Sequence, residues 1–287
     1  MPRTPLDQDQ RIKVSPARPF LKWAGGKGQL LPELIKRVPE TYARYFEPFI
    51  GGGALFFALE PESAFLSDIN PDLVNVYRVV KKDVEKLIKS LEKHYYCKDY
   101  FYEMRRADRT STYSAWGDVR KASRLIFLNK TCFNGLYRVN SKGHFNVPFG
   151  NYKNPKILDE PNLLACSRVL QNAEITVDSF ETVELKAEKG DFVYFDPPYV
   201  PLNVTSSFTS YSKEGFDTDR QLQLRDVCER LDQKGVKFML SNSSAPLILE
   251  LYQAFNLSLV RASRSINSKG NCRGKIAEVI VTNYDLP

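Results

Sequence analysis

The stretch Phe192-Val193-Tyr194-Phe195-Asp196-Pro197-Pro198-Tyr199 decides the fold. Its four apolar residues indicate a short buried strand, and the two prolines that follow Asp196 cannot continue a strand ladder. Because open α/β sheets bind ligands at the carboxyl ends of their strands, the Asp196 carboxylate and the Pro197 carbonyl are expected to face a pocket. The alternative is a rigid turn that ends the strand and uses Asp196 as a cap.

Strands and helices alternate on both sides of this stretch. Apolar runs predict strands at residues 45–49, 64–67, 174–177, 192–195, 237–240, 257–260 and 278–282. Helical spacing predicts helices at residues 30–35, 54–59, 162–170 and 219–231, and Asn70 followed by Pro71 predicts a helix N-cap. The alternation predicts an α/β fold with a doubly wound, mostly parallel sheet, and the closely spaced last strands allow an antiparallel edge.

The remaining regions predict the organisation of the chain. Residues 1–17 are polar and contain prolines, which predicts a flexible leader. From about residue 72 to residue 129 the pattern is helical and charged, and glycines and prolines interrupt it between residues 131 and 155. We therefore predict an α/β domain at 18–75 and 160–287, interrupted by a mainly helical domain at 76–159 that carries a hairpin near 131–153.

Composition narrows the class of protein. The net charge of +7 and the isoelectric point near 9.0 favour a polyanionic partner, although a modest basic excess also occurs in other proteins. The five cysteines form no Cys-x-x-Cys pair and only two histidines are present, which argues against a disulfide scaffold and a metal site. Without an apolar run long enough to span a membrane, the chain is expected in the cytoplasm.

Two glycine segments and one acidic residue indicate a cofactor pocket. The segments are Gly25-Gly26-Lys27-Gly28 and Glu47-Pro48-Phe49-Ile50-Gly51-Gly52-Gly53, and Asp68 ends the next strand. An acid in that position suits the hydroxyls of a ribose, although a tight turn and a helix cap explain the same residues individually. A Gly-Lys-Ser/Thr phosphate loop is absent from the sequence, so the nucleoside cofactor need not be a triphosphate.

The chemistry of the Asp196–Tyr199 tetrad suits transfer to a planar amine. The lone pair of an aryl amine is delocalised into its ring, which makes the amine a poor nucleophile. If Asp196 and the Pro197 carbonyl accept hydrogen bonds from its two N–H groups, the lone pair is localised for attack on a sulfonium methyl group. Tyr199 is then expected to stack on the base.

In order, these segments resemble the DNA adenine methylase (Dam) family, the class alpha (D12 class) N6-adenine-specific DNA methyltransferases. The resemblance is carried by Phe20–Lys27, Glu47-Pro48-Phe49, Ser67–Asn70, Phe145–Gly150, Asp196–Tyr199 and Arg264–Ser268. It extends over nearly the whole chain from Phe20, but not over the leader or the detailed sequence of the helical insertion. It implies a Rossmann-like methyltransferase sheet with an inserted DNA-recognition domain, and a protein associated with the nucleoid.

The resemblance also implies the functional residues. S-adenosylmethionine, which leaves as S-adenosylhomocysteine, would be bound without a metal by Trp23, Lys27, Phe49, Gly51, Asp68, Asp178 and Asp196. Catalysis would fall to Asp196, Pro197 and Tyr199. Double-stranded DNA would be bound by Lys22, Phe133, Asn134, Leu136, Arg138, Pro148 and Tyr152.

Within that set, Phe133 would wedge into the duplex and Arg138 would read a guanine. The resemblance implies GATC as the target, chiefly through Arg138, Leu136 and Pro148, although related members read longer sites that contain GAT. Residues 201–218 would form a lid beside an extruded adenine, or a mobile connection only. The chain is expected to act as a monomer, and the resemblance allows a cognate restriction endonuclease as a partner.

Other functions remain open from the residues alone. The same tetrad would activate cytosine N4, an amide or an RNA amine, and the exposed hairpin could be a protein interface. A non-catalytic DNA-binding protein with the same fold is the alternative from another class.

Overall fold

The computed structural model of the chain describes residues 17–201, 216–263 and 275–286. The predicted leader lies outside the described residues except for Ala17, and so does the predicted lid except for residues 201 and 216–218. The segment Arg264–Ser268 lies outside them as well.

Strands within the described ranges form a single sheet of seven, in the order β3-β2-β1-β4-β5-β7-β6. They are β1 (Tyr45–Glu47), β2 (Ala64–Asp68), β3 (Ala173–Val177), β4 (Phe192–Phe195), β5 (Lys237–Ser243), β6 (Asn256–Ser263) and β7 (Lys275–Thr282). The first five are parallel, and β7 runs antiparallel to both β5 and β6. The predicted α/β fold and its antiparallel edge are therefore confirmed.

Helices connect and cover the strands. They are α1 (Leu31–Ile35), α2 (Ala54–Leu59), α3 (Pro71–Lys82), α4 (Val84–Leu91), α5 (Lys98–Arg106), α6 (Asp118–Thr131), α7 (Glu160–Leu170), α8 (Val183–Lys186), α9 (Thr218–Gln233) and α10 (Pro246–Leu251). The predicted cap is confirmed, because Asn70 Oδ1 accepts hydrogen bonds from the backbone N–H groups of Asp72 at 3.0 Å and Leu73 at 3.3 Å.

The two faces of the sheet bury different hydrophobic cores. Side chains alternate along a strand, so Phe192 and Tyr194 of β4 pack on one face with α2, α3 and α7, while Val193 and Phe195 pack on the other with α9 and α10. Helix α3 crosses the predicted domain boundary at residue 76 without a break. The division into two domains remains a prediction.

A buried acid ends the central strand β1. Glu47 is 3% exposed, and the Tyr45 hydroxyl donates a hydrogen bond to its Oε2 at 2.8 Å. The pKa of Glu47 is raised from 4.5 to about 8, chiefly by burial and also by the nearby negative charge of Asp196, whereas the Tyr45 hydrogen bond and the Lys27 charge oppose the rise. Glu47 is therefore predominantly protonated in the folded protein at neutral pH.

We expect Glu47→Gln to remove a loss of stability that occurs as the pH rises. Between pH 4.5 and about 8 the folded protein keeps the proton that the unfolded chain releases, so the wild-type free energy of unfolding should fall across this window. Urea unfolding at several pH values should show that the variant lacks this decline. Across the window, the free energy of unfolding of the wild type should fall relative to that of the variant by an amount on the order of a few kcal/mol. Glu188→Gln, at a carboxylate whose side chain is 85% exposed, is the control. Parallel curves for wild type and Glu47→Gln would contradict this expectation.

Candidate active site

The site lies where the sheet changes its direction of winding. From β1 the chain proceeds outward through β2 to β3, and it then returns to β4 and β5 on the other side of β1. Such a switch point leaves a crevice at the carboxyl ends of the two central strands. Asp196 directly follows β4 and the second glycine segment directly follows β1, so both motifs face this crevice.

Lys27 pairs with the carboxylate of Asp196. Its side chain is 8% exposed, and its Nζ lies 2.6 Å from Asp196 Oδ1. The same Nζ donates a hydrogen bond to the Gly25 carbonyl at 2.7 Å and lies 4.5 Å from the centre of the Tyr199 ring. The Tyr199 hydroxyl donates to Glu278 Oε2 at 3.0 Å. The structure thus brings Lys27 of the first glycine segment together with Asp196 and Tyr199 of the tetrad.

Neighbouring strands support the Asp196 carboxylate. The Ser241 hydroxyl on β5 donates to Asp196 Oδ1 at 3.1 Å, and the Tyr194 and Ser241 hydroxyl oxygens lie 3.0 Å apart. The pKa of Asp196 is raised above its ordinary value, chiefly by burial, although the Lys27 charge and the hydrogen bonds from Lys27 and Ser241 oppose the rise. Because both partners are donors, they favour the ionised, hydrogen-bond-accepting form of Asp196.

The Pro197 and Pro198 carbonyl groups of the tetrad differ in their hydrogen bonding. Gln221 Nε2 on α9 donates to the Pro198 carbonyl at 3.1 Å, and the Val200 N–H donates to Asn242 Oδ1 at 3.2 Å. Within the described ranges no donor contacts the Pro197 carbonyl. Side chains from α9 and β5 therefore hold the loop after β4, while the Pro197 carbonyl keeps its capacity to accept.

A second cluster joins Trp23, Gly51 and Asp68. The Gly51 N–H donates to Asp68 Oδ2 at 3.3 Å, and the Asn70 N–H donates to Asp68 Oδ1 at 2.9 Å. Gly51 has a φ of 43°, and a β-carbon there would lie 2.8 Å from Trp23 Cδ1. Only glycine fits between this loop and the indole. The structure thus brings the loop, the indole and the carboxylate, which the sequence predicted from separate segments, into contact with one another.

Phe49 and Asp178 lie at the far end of the crevice. Phe49 stacks on Phe180 with ring centres 5.5 Å apart, and Phe216 packs against both rings. Asp178 borders a small cavity beside Ser67. Asp178 precedes Phe180 by two positions in the chain, and it belongs to neither the Lys27 cluster nor the Gly51 cluster.

Residues 132–149 fold back on themselves as a hairpin, and its role in reading DNA stays a prediction. Antiparallel bridges join Cys132 to Phe149 and Val139 to Phe145. At the tip, Asn140 Oδ1 accepts hydrogen bonds from the backbone of Lys142 and His144, each at 3.0 Å. Its own hydrophobic cluster anchors the hairpin to α5 and α6.

Most of the predicted DNA-binding side chains are accessible on or beside this hairpin. Lys22, Phe133, Asn134, Arg138 and Pro148 are exposed, and Leu136 and Tyr152 are half-buried. The exposed fraction of Phe133 is 51%. Lys22 Nζ lies 4.8 Å from the centre of the Tyr152 ring, and Arg138 Nε donates to Asn146 Oδ1 at 2.6 Å on the opposite arm. The structure thus brings Lys22, from the N-terminal segment, onto the hairpin.

Several residues around the site were not predicted. They are Glu47, Asn129, Tyr137, Gln221, Ser241, Asn242 and Glu278. The run Ser241-Asn242-Ser243 carries a signal that could have been recognised, because these polar residues form the carboxyl end of β5, which lies next to β4. Gln221 carries none, since it lies within an ordinary helix.

Residues 17–201, 216–263 and 275–286 contain no group of three or more His, Cys, Asp or Glu side chains that could hold a metal ion. None of their helices is long and apolar enough to cross a membrane.

Comparisons with known proteins agree with this geometry. A family model described as D12 class N6 adenine-specific DNA methyltransferase matches residues 23–266. The chain is 50% identical to Type II methyltransferase M1.LlaDCHI of Lactococcus lactis subsp. cremoris, over 96% of this chain and 98% of that one. It is 45% identical to Type II methyltransferase M.MjaIII of Methanocaldococcus jannaschii, over 93% of this chain and 99% of that one. It is 34% identical to the DNA adenine methylase of Escherichia coli K12, over 92% of this chain and 94% of that one. The chain therefore belongs to the D12 class of N6-adenine-specific DNA methyltransferases.

Proposed function

We propose that this enzyme transfers the methyl group of S-adenosylmethionine to N6 of an adenine that is flipped out of duplex DNA. The observation that carries the proposal is the pairing of Asp196 with Lys27 at 2.6 Å, beside a Pro197 carbonyl that no described donor contacts. Two acceptors on consecutive residues are what an exocyclic amine needs for its two N–H groups.

Asp196 and Pro197 would orient the amine. When each accepts one N–H, the nitrogen lone pair is directed away from the ring system and becomes more nucleophilic. The bound cofactor supplies a methyl group on a positively charged sulfur. Lys27 and Ser241 keep Asp196 ionised and fixed, so that its hydrogen bond to the amine needs little rearrangement.

The other clusters suit the remaining parts of the cofactor. The Asp68 carboxylate lies beside the Gly51 loop and would accept hydrogen bonds from ribose hydroxyls. Ile69, which follows it, is 72% exposed, and Trp23 offers a flat indole at the same loop. Exposed apolar surface of this kind fits a nucleoside base and the methionine chain. Phe49 would line the same site.

The hairpin supports DNA as the substrate. Phe133 is half exposed at a tight turn, where Asn134 adopts a φ of 55° and directs the chain back toward the opposite arm. An exposed aromatic ring of this kind can fill the space of an extruded base. Arg138 projects from the same hairpin and would read a guanine. Together with the family resemblance, this supports GATC as the target.

The first test replaces the catalytic carboxylate. Asp196→Asn should lower methyl transfer by at least about 100-fold while DNA affinity is largely retained, because the amide oxygen can still accept an N–H of the amine but carries no negative charge. The measurement is transfer of tritium from labelled cofactor to DNA, followed by nucleoside analysis. Asp226→Asn, at a carboxylate whose side chain is 45% exposed, is the control. Label on cytosine would favour the N4 alternative, and no label from wild type would favour a non-catalytic DNA-binding protein.

The second test addresses the target sequence. Arg138→Ala should lower kcat/KM on GATC by about 10- to 100-fold and reduce the preference for its guanine, because a bidentate contact is lost. Methylation of duplexes that differ at this one base pair measures the preference. Lys142→Ala, at the tip of the same hairpin, should leave it unchanged. Wild-type modification at adenines outside GATC would contradict the proposed target.

A further inference from the structure

Asn129 connects two DNA-facing segments that are far apart in sequence. It lies near the end of α6 and is 1% exposed. Its Oδ1 accepts a hydrogen bond from the Lys22 N–H at 2.9 Å, and its Nδ2 donates to the Lys22 carbonyl at 2.8 Å and to the Gly135 carbonyl at 2.9 Å. One side-chain amide thus satisfies both backbone groups of Lys22 and a carbonyl of the hairpin.

Close packing reinforces these hydrogen bonds. A β-carbon at Gly135, where φ is 65°, would lie 2.4 Å from Lys22 Cδ, so the lysine stem lies directly on the turn. Trp23 follows Lys22 in the chain, and its ring stacks on the Tyr137 ring with centres 5.2 Å apart and an interplanar angle of 24°. The Tyr137 hydroxyl in turn donates to Asp72 Oδ2 at 3.1 Å. Residues 22 and 23 are therefore held against the hairpin on two sides.

We propose that Asn129 is a positioning residue for site discrimination: it fixes Lys22 relative to the turn that carries Phe133 and Arg138. This inference rests on the proposed function, since it assumes that these side chains read DNA. Without the amide, two backbone groups of Lys22 and the Gly135 carbonyl lose their partners. The turn and Lys22 can then shift independently, and contacts to bases depend on their relative placement.

Loss of the Asn129 amide is expected to affect discrimination between DNA sites, and not only the stability of the fold. A loss of stability lowers the amount of active enzyme and affects all DNA substrates equally. A loss of placement weakens the contacts that only the correct site makes, so it lowers the ratio of kcat/KM for the correct site to kcat/KM for a site with one changed base pair. Both rates come from one preparation, so the ratio does not depend on the folded fraction.

Asn129→Ala should lower this ratio by about 10-fold or more, since one base pair is typically discriminated by about 1–3 kcal/mol. Asn129→Asp is the second variant: it has a similar size, keeps the acceptor for the Lys22 N–H and loses both donors. It should lower the ratio in the same direction even if the alanine variant folds poorly. Rates are measured with GATC duplexes and with duplexes altered at the guanine pair.

Ser123→Ala is the matched control. Ser123 is also 1% exposed on α6, but its hydroxyl contacts His94 Nε2 at 3.0 Å and not the hairpin. It should lower thermal stability without changing the ratio. If the Asn129 variants lower both rates equally, as Ser123→Ala does, Asn129 has only a structural role and the inference is overturned. If wild type itself does not methylate adenine in DNA, the proposed function has failed instead.

Discussion

The ion pair between Lys27 and Asp196 is the interaction on which the site depends. It joins the first glycine segment to the end of the central strand β4, across most of the length of the chain. Both side chains are largely buried, so loss of either partner would leave a charge without compensation, at a cost of about 3–5 kcal/mol in typical cases. The pair therefore aligns the N-terminal segment with the sheet. It also determines which atoms of the Asp196–Tyr199 tetrad remain available to a substrate.

Neighbouring groups after β4 have different roles, because some stabilise the loop while others remain able to accept hydrogen bonds. The Pro198 carbonyl is held by Gln221 and the Val200 N–H by Asn242, and both contacts stabilise the loop. The Asp196 carboxylate and the Pro197 carbonyl, which no described donor contacts, directly precede these supported positions in the chain. Since two prolines also restrict the backbone, the two acceptors are held in place before any substrate binds. Preorganised acceptors need no rearrangement when the amine becomes nucleophilic.

Much of this could be predicted because the signals are local. The strands, the Asn70 cap and the placement of Asp68 and Asp196 follow from apolar runs and from residues directly at strand ends. By contrast, Asn129 and Lys22 are 107 positions apart, and nothing in the sequence near Asn129 indicates its partner. The elevated pKa of Glu47 was equally hidden, because it results from burial in the centre of the sheet rather than from its neighbours in sequence.

Helix α6 explains why the hairpin can be a rigid part of the site. Leu125 and Ile126 belong to the core that covers the sheet, whereas the next two residues, Phe127 and Leu128, belong to the hydrophobic cluster of the hairpin. One helix thus packs into both cores, and Asn129 follows directly with its contacts to the N-terminal segment. Because close-packed cores deform little, the position of the hairpin is determined by the same packing that positions the sheet. The turn that carries Phe133 and the Lys27–Asp196 pair are therefore two ends of one continuous packed structure.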